Sequence, residues 1–197
     1  LLEHRFIKII PNEEFVSFSE EKNKVVVDFK SGLRKSYDAL AVCTGKGLKD
    51  FNDNLKVSYG LMAGISNKDL FNIKKPLNHQ GYIIPKVDGT NWIGSTYEQS
   101  PDLKKENIEE KIKLNHAIFG RKGMSFEIHD IWEGERVSAR SNLPIASKIP
   151  ETKNIYCIGG LGSRGLSYAP FLAEIVSSAI QDKQIPLSKE IFSLLNI

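Results

Sequence analysis

Ile155-Tyr156-Cys157-Ile158-Gly159-Gly160-Leu161-Gly162-Ser163-Arg164-Gly165-Leu166-Ser167-Tyr168-Ala169-Pro170 is the stretch on which the reading of the fold turns. A short apolar run of strand type leads into a glycine cluster, and a helical pattern begins at once. Leu166, Ala169, Ala173, Val176 and Ile180 recur at helical spacing. Proline is tolerated in the first turn of a helix, so Pro170 predicts a helix starting near Ser167, with that serine as its cap. The glycines bring backbone close to whatever sits at the positive end of the helix dipole, which suits an anionic or electron-rich ligand. A strand-to-helix turn with no ligand accounts for the same residues.

Gly160-x-Gly162-x-x-Gly165 also satisfies the dinucleotide fingerprint, but its context does not. That fingerprint requires a second parallel strand after the helix, with an acidic residue roughly 20 positions on. Residues 186–195 read instead as another helix. The pyrophosphate reading fails.

With 197 residues, the chain can bury one sizeable core or two small ones. Its apolar content of 41% and charged content of 26% are ordinary for a globular protein. A net charge of +3 permits a nucleic-acid partner without requiring one, because the lysines are scattered. Cys43 and Cys157 lie far apart in apolar strands and read as small buried hydrophobes in a reducing compartment. The apolar runs are too short to span a bilayer. His4, His79, His116 and His129 lack metal-ligand spacing, and no nucleophile elbow, paired carboxylates or zinc signature accompanies them. Any hard chemistry therefore belongs to a cofactor.

Working back from the N-terminus, residues 15–18 and 24–29 alternate like antiparallel strands, and Ser31-Gly32 turns the chain into residues 33–37. Residues 38–45, Asp-Ala-Leu-Ala-Val-Cys-Thr-Gly, read as a buried strand ending at a glycine turn. Beyond Phe51 the strands become mixed in polarity, with a long one near residues 56–65. Asp88-Gly89 marks a hairpin between residues 81–85 and 91–97. Ser100-Pro101-Asp102 opens a helix through about Phe119, with Ile108, Ile112 and Phe119 as its apolar face. A strand over 125–137 ends at Asn142-Leu143-Pro144.

The run Gly-Gly-Leu-Gly-Ser-Arg-Gly-Leu-Ser-Tyr-Ala-Pro, followed by Leu172-Ala173-Glu174, resembles the closing motif of the glycine oxidase/D-amino-acid oxidase superfamily of FAD enzymes. It is most similar to the flavin-dependent C-terminal domain of the bifunctional enzymes that make 5-methylaminomethyl-2-thiouridine in tRNA. The resemblance implies an α+β fold: an α/β FAD-domain remnant carrying an inserted, mainly antiparallel substrate sheet. It divides the chain into a partial FAD-binding segment (1–50), a substrate domain (51–149) and a C-terminal return to the FAD domain (150–197). It also implies that the dinucleotide-binding unit lies upstream of Leu1. On that expectation the piece by itself holds no FAD and is inactive, and a methyltransferase domain is a possible further fusion.

The same resemblance assigns roles. Thr44 and Gly45, at the end of a strand like the family's Asp-x-x-Val-x-Ala-Thr-Gly strand, would pass the cofactor; a plain core strand with a turn explains them as well. Gly159, Gly160, Leu161, Gly162, Ser163, Arg164, Gly165 and Leu166 would cover the flavin ring. Tyr82, in Gly-Tyr-x-x-Pro, would face the substrate, although a tyrosine packing on a sheet surface fits equally. Arg136, with Arg140 behind it, would clamp a substrate carboxylate through its planar fork. An ion pair of Arg136 with Glu133 or Glu135 is the alternative. Where the family places Arg-Gly-Gln, this chain has Tyr59-Gly60-Leu61. The implied activity is oxidative removal of the carboxymethyl group from 5-carboxymethylaminomethyl-(2-thio)uridine at the tRNA wobble position, by a cytoplasmic enzyme. Oxidation of a free small amino acid is the runner-up. Lys74, Lys75, Lys104, Lys105, Arg121 and Lys122 would form the RNA-facing charge.

Overall fold

The computed structural model describes residues 6–66, 74–78, 82–86, 90–102, 108–110 and 127–183. They fall into two compact units, one built from residues 1–52 and 141–197 and the other from residues 53–140.

In the first unit, strands β1 (Phe15–Glu21), β2 (Lys24–Phe29) and β3 (Arg34–Tyr37) form an antiparallel meander. The Val25-Val26-Val27 run is buried throughout, as its β-branched side chains favour. Phe18 stacks against Phe51, with ring centroids 5.3 Å apart. A second sheet has the order β10 (Ile145–Lys148), β11 (Ile155–Gly159), β4 (Leu40–Val42), with β11 antiparallel to β10 and parallel to β4. The strand expected over 38–45 is thus shorter, and Gly45–Asp50 form a 3-10 helix. Residues 145–148, placed with the substrate segment by the sequence reading, pair with β11 and belong to the first unit.

Helix α1 (Gly165–Ile180) packs on this sheet through a core of Ala146, Tyr156, Leu172, Ile175 and Val176. Two expectations change here. The helix starts at Gly165 rather than near Ser167, because the 3-10 turn Gly162–Arg164 runs straight into it, and no side chain caps it. Pro170 therefore sits inside the helix, where its missing N–H leaves the Leu166 carbonyl without its intrahelical donor. The buried stripe is also different. Leu166 is 98% exposed and Ala173 is exposed, whereas Tyr168, Leu172, Ile175, Val176 and Ala179 face the sheet. Both stripes obey helical spacing, and the bulkier one is buried because it removes more apolar area from water.

The second unit is a five-stranded antiparallel sheet of order β6 (Leu77–Asn78), β7 (Tyr82–Pro85), β8 (Asn91–Gly94), β5 (Leu55–Ser66), β9 (Glu127–Ala139). Side chains alternate across it with period two. On one face Ile83, Ile93, Ala63 and Ile131 line up in register across four strands. With Leu61, Ile65 and Ile108 they form the hydrophobic core. Ile108–Glu110 is helical, as the capped Ser-Pro-Asp start predicts, and Ser100 Oγ accepts from the Asp102 amide at 3.2 Å. Ile112, Phe119 and the Asp88-Gly89 turn lie outside the described residues.

Candidate active site

The opposite face of the second unit's sheet carries a polar cluster and a cavity. There Tyr82, Gly94, Met62 and Trp132 line up in register, followed along β5 and β9 by Gly60 opposite Gly134 and Ser58 opposite Arg136. Around them is a cavity of about 140 Å³, closed on one side by Ser95, Thr96 and Tyr97. Those three residues follow β8, where the chain bends yet stays beside β5, from Gly94 opposite Met62 to Glu98 opposite Tyr59. Thr96 N donates to the Leu61 carbonyl (3.1 Å), the Leu61 amide donates to Thr96 Oγ1 (2.9 Å), and Tyr59 and Glu98 exchange backbone bonds. Gly60 makes this close approach possible. A Cβ on it would lie 2.5 Å from the Thr96 carbonyl oxygen.

The bend places Tyr97 at the centre of a polar cluster that the sequence reading did not include. The Tyr82 and Tyr97 hydroxyls are 2.9 Å apart, and the Arg136 guanidinium carbon lies 5.1 Å from the Tyr97 ring centroid. Burial raises the Tyr97 pKa. Hydrogen bonds from Tyr82, Arg136 and Ser95, together with the Arg136 charge, outweigh it and bring the phenol down to about 8. Tyr82 is pushed up by its hydrogen bond with Tyr97 first and by burial second. Arg136 is raised, chiefly by its hydrogen bond to Tyr97 against the opposing effect of burial. A guanidinium beside two phenols in an open cavity has the donor set that suits a planar anion such as a carboxylate.

Tyr82 and Arg136 are thus brought together. Arg140 is not with them: β9 ends at Ala139, and Arg140 is exposed in the following turn, its amide bonded to the Asn54 carbonyl.

In the first unit, β4 and β11 run parallel with Val42 opposite Cys157, so Thr44-Gly45 and the Gly159–Leu166 turn leave the same carboxyl edge of the sheet. That edge is where open α/β sheets take ligands. Gly159 and Gly160 are buried, and a Cβ on Gly159 would collide with Leu48 Cδ1 at 2.2 Å. Gly160 and Gly162 take positive φ (66° and 57°), which glycine alone adopts without cost. Ser163, Arg164 and Leu166 are exposed, while Leu161, Gly162 and Gly165 are half-buried. Arg164 Nη2 donates to the Asn142 carbonyl (2.6 Å), and its guanidinium lies 5.1 Å from the Tyr168 ring centroid. The α1 N-terminus has no side-chain cap and no acidic residue in its first turn. An uncapped helix start beside an open glycine turn fits an electron-rich ring edge.

Cys157 is buried, as expected, with its Sγ 3.3 Å from Ser147 Oγ. Cys43 is not: it lies just past β4 and is exposed. Among the described residues no cluster of side chains is arranged to hold a metal, and no helix is long and apolar enough to cross a membrane.

Residues 2–179 match the family described as FAD dependent oxidoreductase (DAO). The chain belongs to that family. Among curated relatives, it is 29% identical over 125 residues to the tRNA 5-methylaminomethyl-2-thiouridine biosynthesis bifunctional protein MnmC of Polaromonas naphthalenivorans, covering 57% of this chain and 20% of that protein. The protein of the same name from Shewanella halifaxensis is 22% identical over 225 residues, covering 94% of this chain and 35% of that protein. Among solved structures, glycine oxidase from Geobacillus kaustophilus superposes with a TM-score of 0.71 at 15% identity, covering 91% of this chain and 51% of that one. The chain spans about half the length of the solved neighbour and between 20% and 35% of these two curated relatives. The α+β architecture expected from the motif is therefore the family's fold.

Proposed function

We propose that this chain is the C-terminal part of a cytoplasmic FAD-dependent amine oxidase acting on 5-carboxymethylaminomethyl-(2-thio)uridine at the tRNA wobble position. The observation that carries the proposal is the Arg136–Tyr97–Tyr82 cluster inside an open cavity. Support for the tRNA substrate comes from relatives whose name states that biosynthesis.

Arg136 would bind the carboxylate of the carboxymethyl group through two parallel N–H···O bonds. The Tyr82–Tyr97 pair has two hydroxyl protons, one shared between the rings and one left to donate to the same carboxylate. Met62 and Trp132 would bound the apolar side of the cavity. Thr44, Gly45 and the Leu161–Leu166 turn would hold the cofactor, and the uncapped α1 start would favour negative charge developing on it. FAD, when bound, supplies the acceptor for the hydride leaving the carbon between amine and carboxylate. Hydrolysis of the resulting substrate imine releases glyoxylate and leaves the aminomethyl nucleoside. With the amine bound neutral, no protein base is required. The residues that grip the dinucleotide tail, and a fused methyltransferase domain, would lie in further chain, since this chain covers only 20% and 35% of the two curated relatives.

The test is to incubate the FAD-loaded protein with tRNA bearing the carboxymethylaminomethyl group, and separately with glycine and with sarcosine. The proposal expects glyoxylate from the tRNA and a nucleoside lighter by the carboxymethyl group. Turnover of the free amino acids alone would replace it with the small-amine oxidase reading.

A further inference from the structure

Tyr97 touches both Tyr82 and Arg136, the two groups the sequence assigns to the substrate. It sits on a segment fixed by three backbone hydrogen bonds to β5, so its position is set independently of Tyr82 and Arg136. Its oxygen is 2.9 Å from the Tyr82 hydroxyl, and its ring lies beneath the Arg136 guanidinium. We propose that Tyr97 is a positioning residue that holds the Tyr82 hydroxyl and the Arg136 guanidinium together for one substrate carboxylate, and whose own charge shuts that carboxylate out. The inference rests on the reading that Arg136 receives the carboxylate.

The mechanism is a competition between two anions for one guanidinium. While Tyr97 is neutral, Arg136 has fork N–H groups to offer and the tyrosine pair has a proton to spare. Once Tyr97 loses its proton, the phenolate takes the Tyr82 proton and the nearest Arg136 N–H, and its charge repels a second anion. The groups that stabilise the phenolate are Tyr82 on β7, Ser95 on the bend and Arg136 on β9; Tyr59 on β5 and Glu135 on β9 also line the cavity. Because the folded-state pKa is lowered to about 8, the phenol is protonated below that pH and ionised above it. Carboxylate binding is therefore intact at neutral pH and lost as pH rises through about 8. For a single proton the loss is roughly tenfold per pH unit.

The test uses the FAD-loaded protein and the nucleoside 5-carboxymethylaminomethyluridine as the probe, titrated calorimetrically from pH 6.5 to 9.5. The same series is run on Tyr97→Phe, so that titration of the ligand amine cancels in the comparison. The wild-type Kd is expected to weaken roughly tenfold per unit above about pH 8. In Tyr97→Phe it is expected to be roughly tenfold weaker at pH 7 and to lack that limb. A ligand-free readout guards against a misfolded variant: the ultraviolet difference spectrum of the wild type should show one tyrosine ionising near pH 8, and Tyr82→Phe should move that step upward. An identical limb in Tyr97→Phe, or no tyrosine ionising near 8 in the wild type, overturns the inference. Unchanged affinity in Arg136→Ala would overturn the carboxylate assignment itself, a separate outcome from either of these.

Discussion

Gly60→Ala is the substitution whose cost the structure determines most sharply. The added methyl group would lie 2.5 Å from the Thr96 carbonyl oxygen, about 0.8 Å inside an ordinary C···O contact. The obstacle is backbone, so no rotamer change relieves it. The Thr96 carbonyl cannot retreat freely either, because Thr96 is bonded twice to Leu61 and Glu98 twice to Tyr59. Overpacking costs about 1–3 kcal/mol. Weakening one or two of those hydrogen bonds adds about 1 kcal/mol each. The expected loss is thus about 2–5 kcal/mol, a large share of a domain's usual stability of about 5–15 kcal/mol. Gly64→Ala on the same strand is the control. Its new Cβ would meet Asp130 Cβ at 3.6 Å, an ordinary contact, so the change should be neutral or slightly stabilising. Urea unfolding followed by circular dichroism should show the two midpoints well separated at equal slope. Displacing the bend also moves Tyr97 from Tyr82, so the low tyrosine ionisation should rise in Gly60→Ala and stay in Gly64→Ala. Coincident midpoints would refute the claim that Gly60 sets the position of the 95–98 segment.

Further outcomes follow from individual contacts. Arg136→Lys keeps the charge but loses the planar fork, so KM for a carboxylate substrate should rise roughly 10- to 100-fold with kcat within a few fold; equal losses in both would place Arg136 elsewhere in the reaction. Arg164→Ala removes the bond to the Asn142 carbonyl and the contact with Tyr168, and should cost about 1–2 kcal/mol in unfolding free energy. Flavin affinity measured on the same variant shows whether Arg164 also touches the cofactor. Glu20→Ala strips the acceptor from the Lys153 and Asn154 amides (2.9 and 2.7 Å) and should destabilise the first unit by about 1–3 kcal/mol in a thermal melt. Although Cys43 is exposed as a residue, partial desolvation of its thiol first, and Cys157 second, raise its pKa against a backbone hydrogen bond from Ile158. Exposed Cys43 should therefore alkylate slowly at pH 7 and faster only as pH rises, as read by mass spectrometry.

The strands were legible because their signals are local. Alternation marked β1 and β2, strands were expected where β5 and β9 lie, and the Asp-Gly pair predicted a hairpin where β7 and β8 pair. The helix after the glycine turn was legible as an element but not in its details. Two apolar stripes share its surface, and only the sheet beneath decides that Leu172, Ile175 and Val176 turn inward. Arg140 lies four residues beyond Arg136, a spacing that keeps both on one face of a strand, yet β9 stops at Ala139. Tyr97 had no local signal at all. Its place in the cavity depends on a bend after Gly94 and on the bare α-carbon of Gly60, more than thirty residues away in sequence.

The central claim is that the cavity around Arg136 receives the carboxylate of an amine substrate. A crystal structure of the FAD-loaded protein soaked with 5-carboxymethylaminomethyluridine tests it most directly. The account predicts the ligand carboxylate in two hydrogen bonds to the Arg136 guanidinium, with a third from the Tyr82–Tyr97 pair. A carboxylate bound away from Arg136, with the cavity filled by solvent, would contradict it.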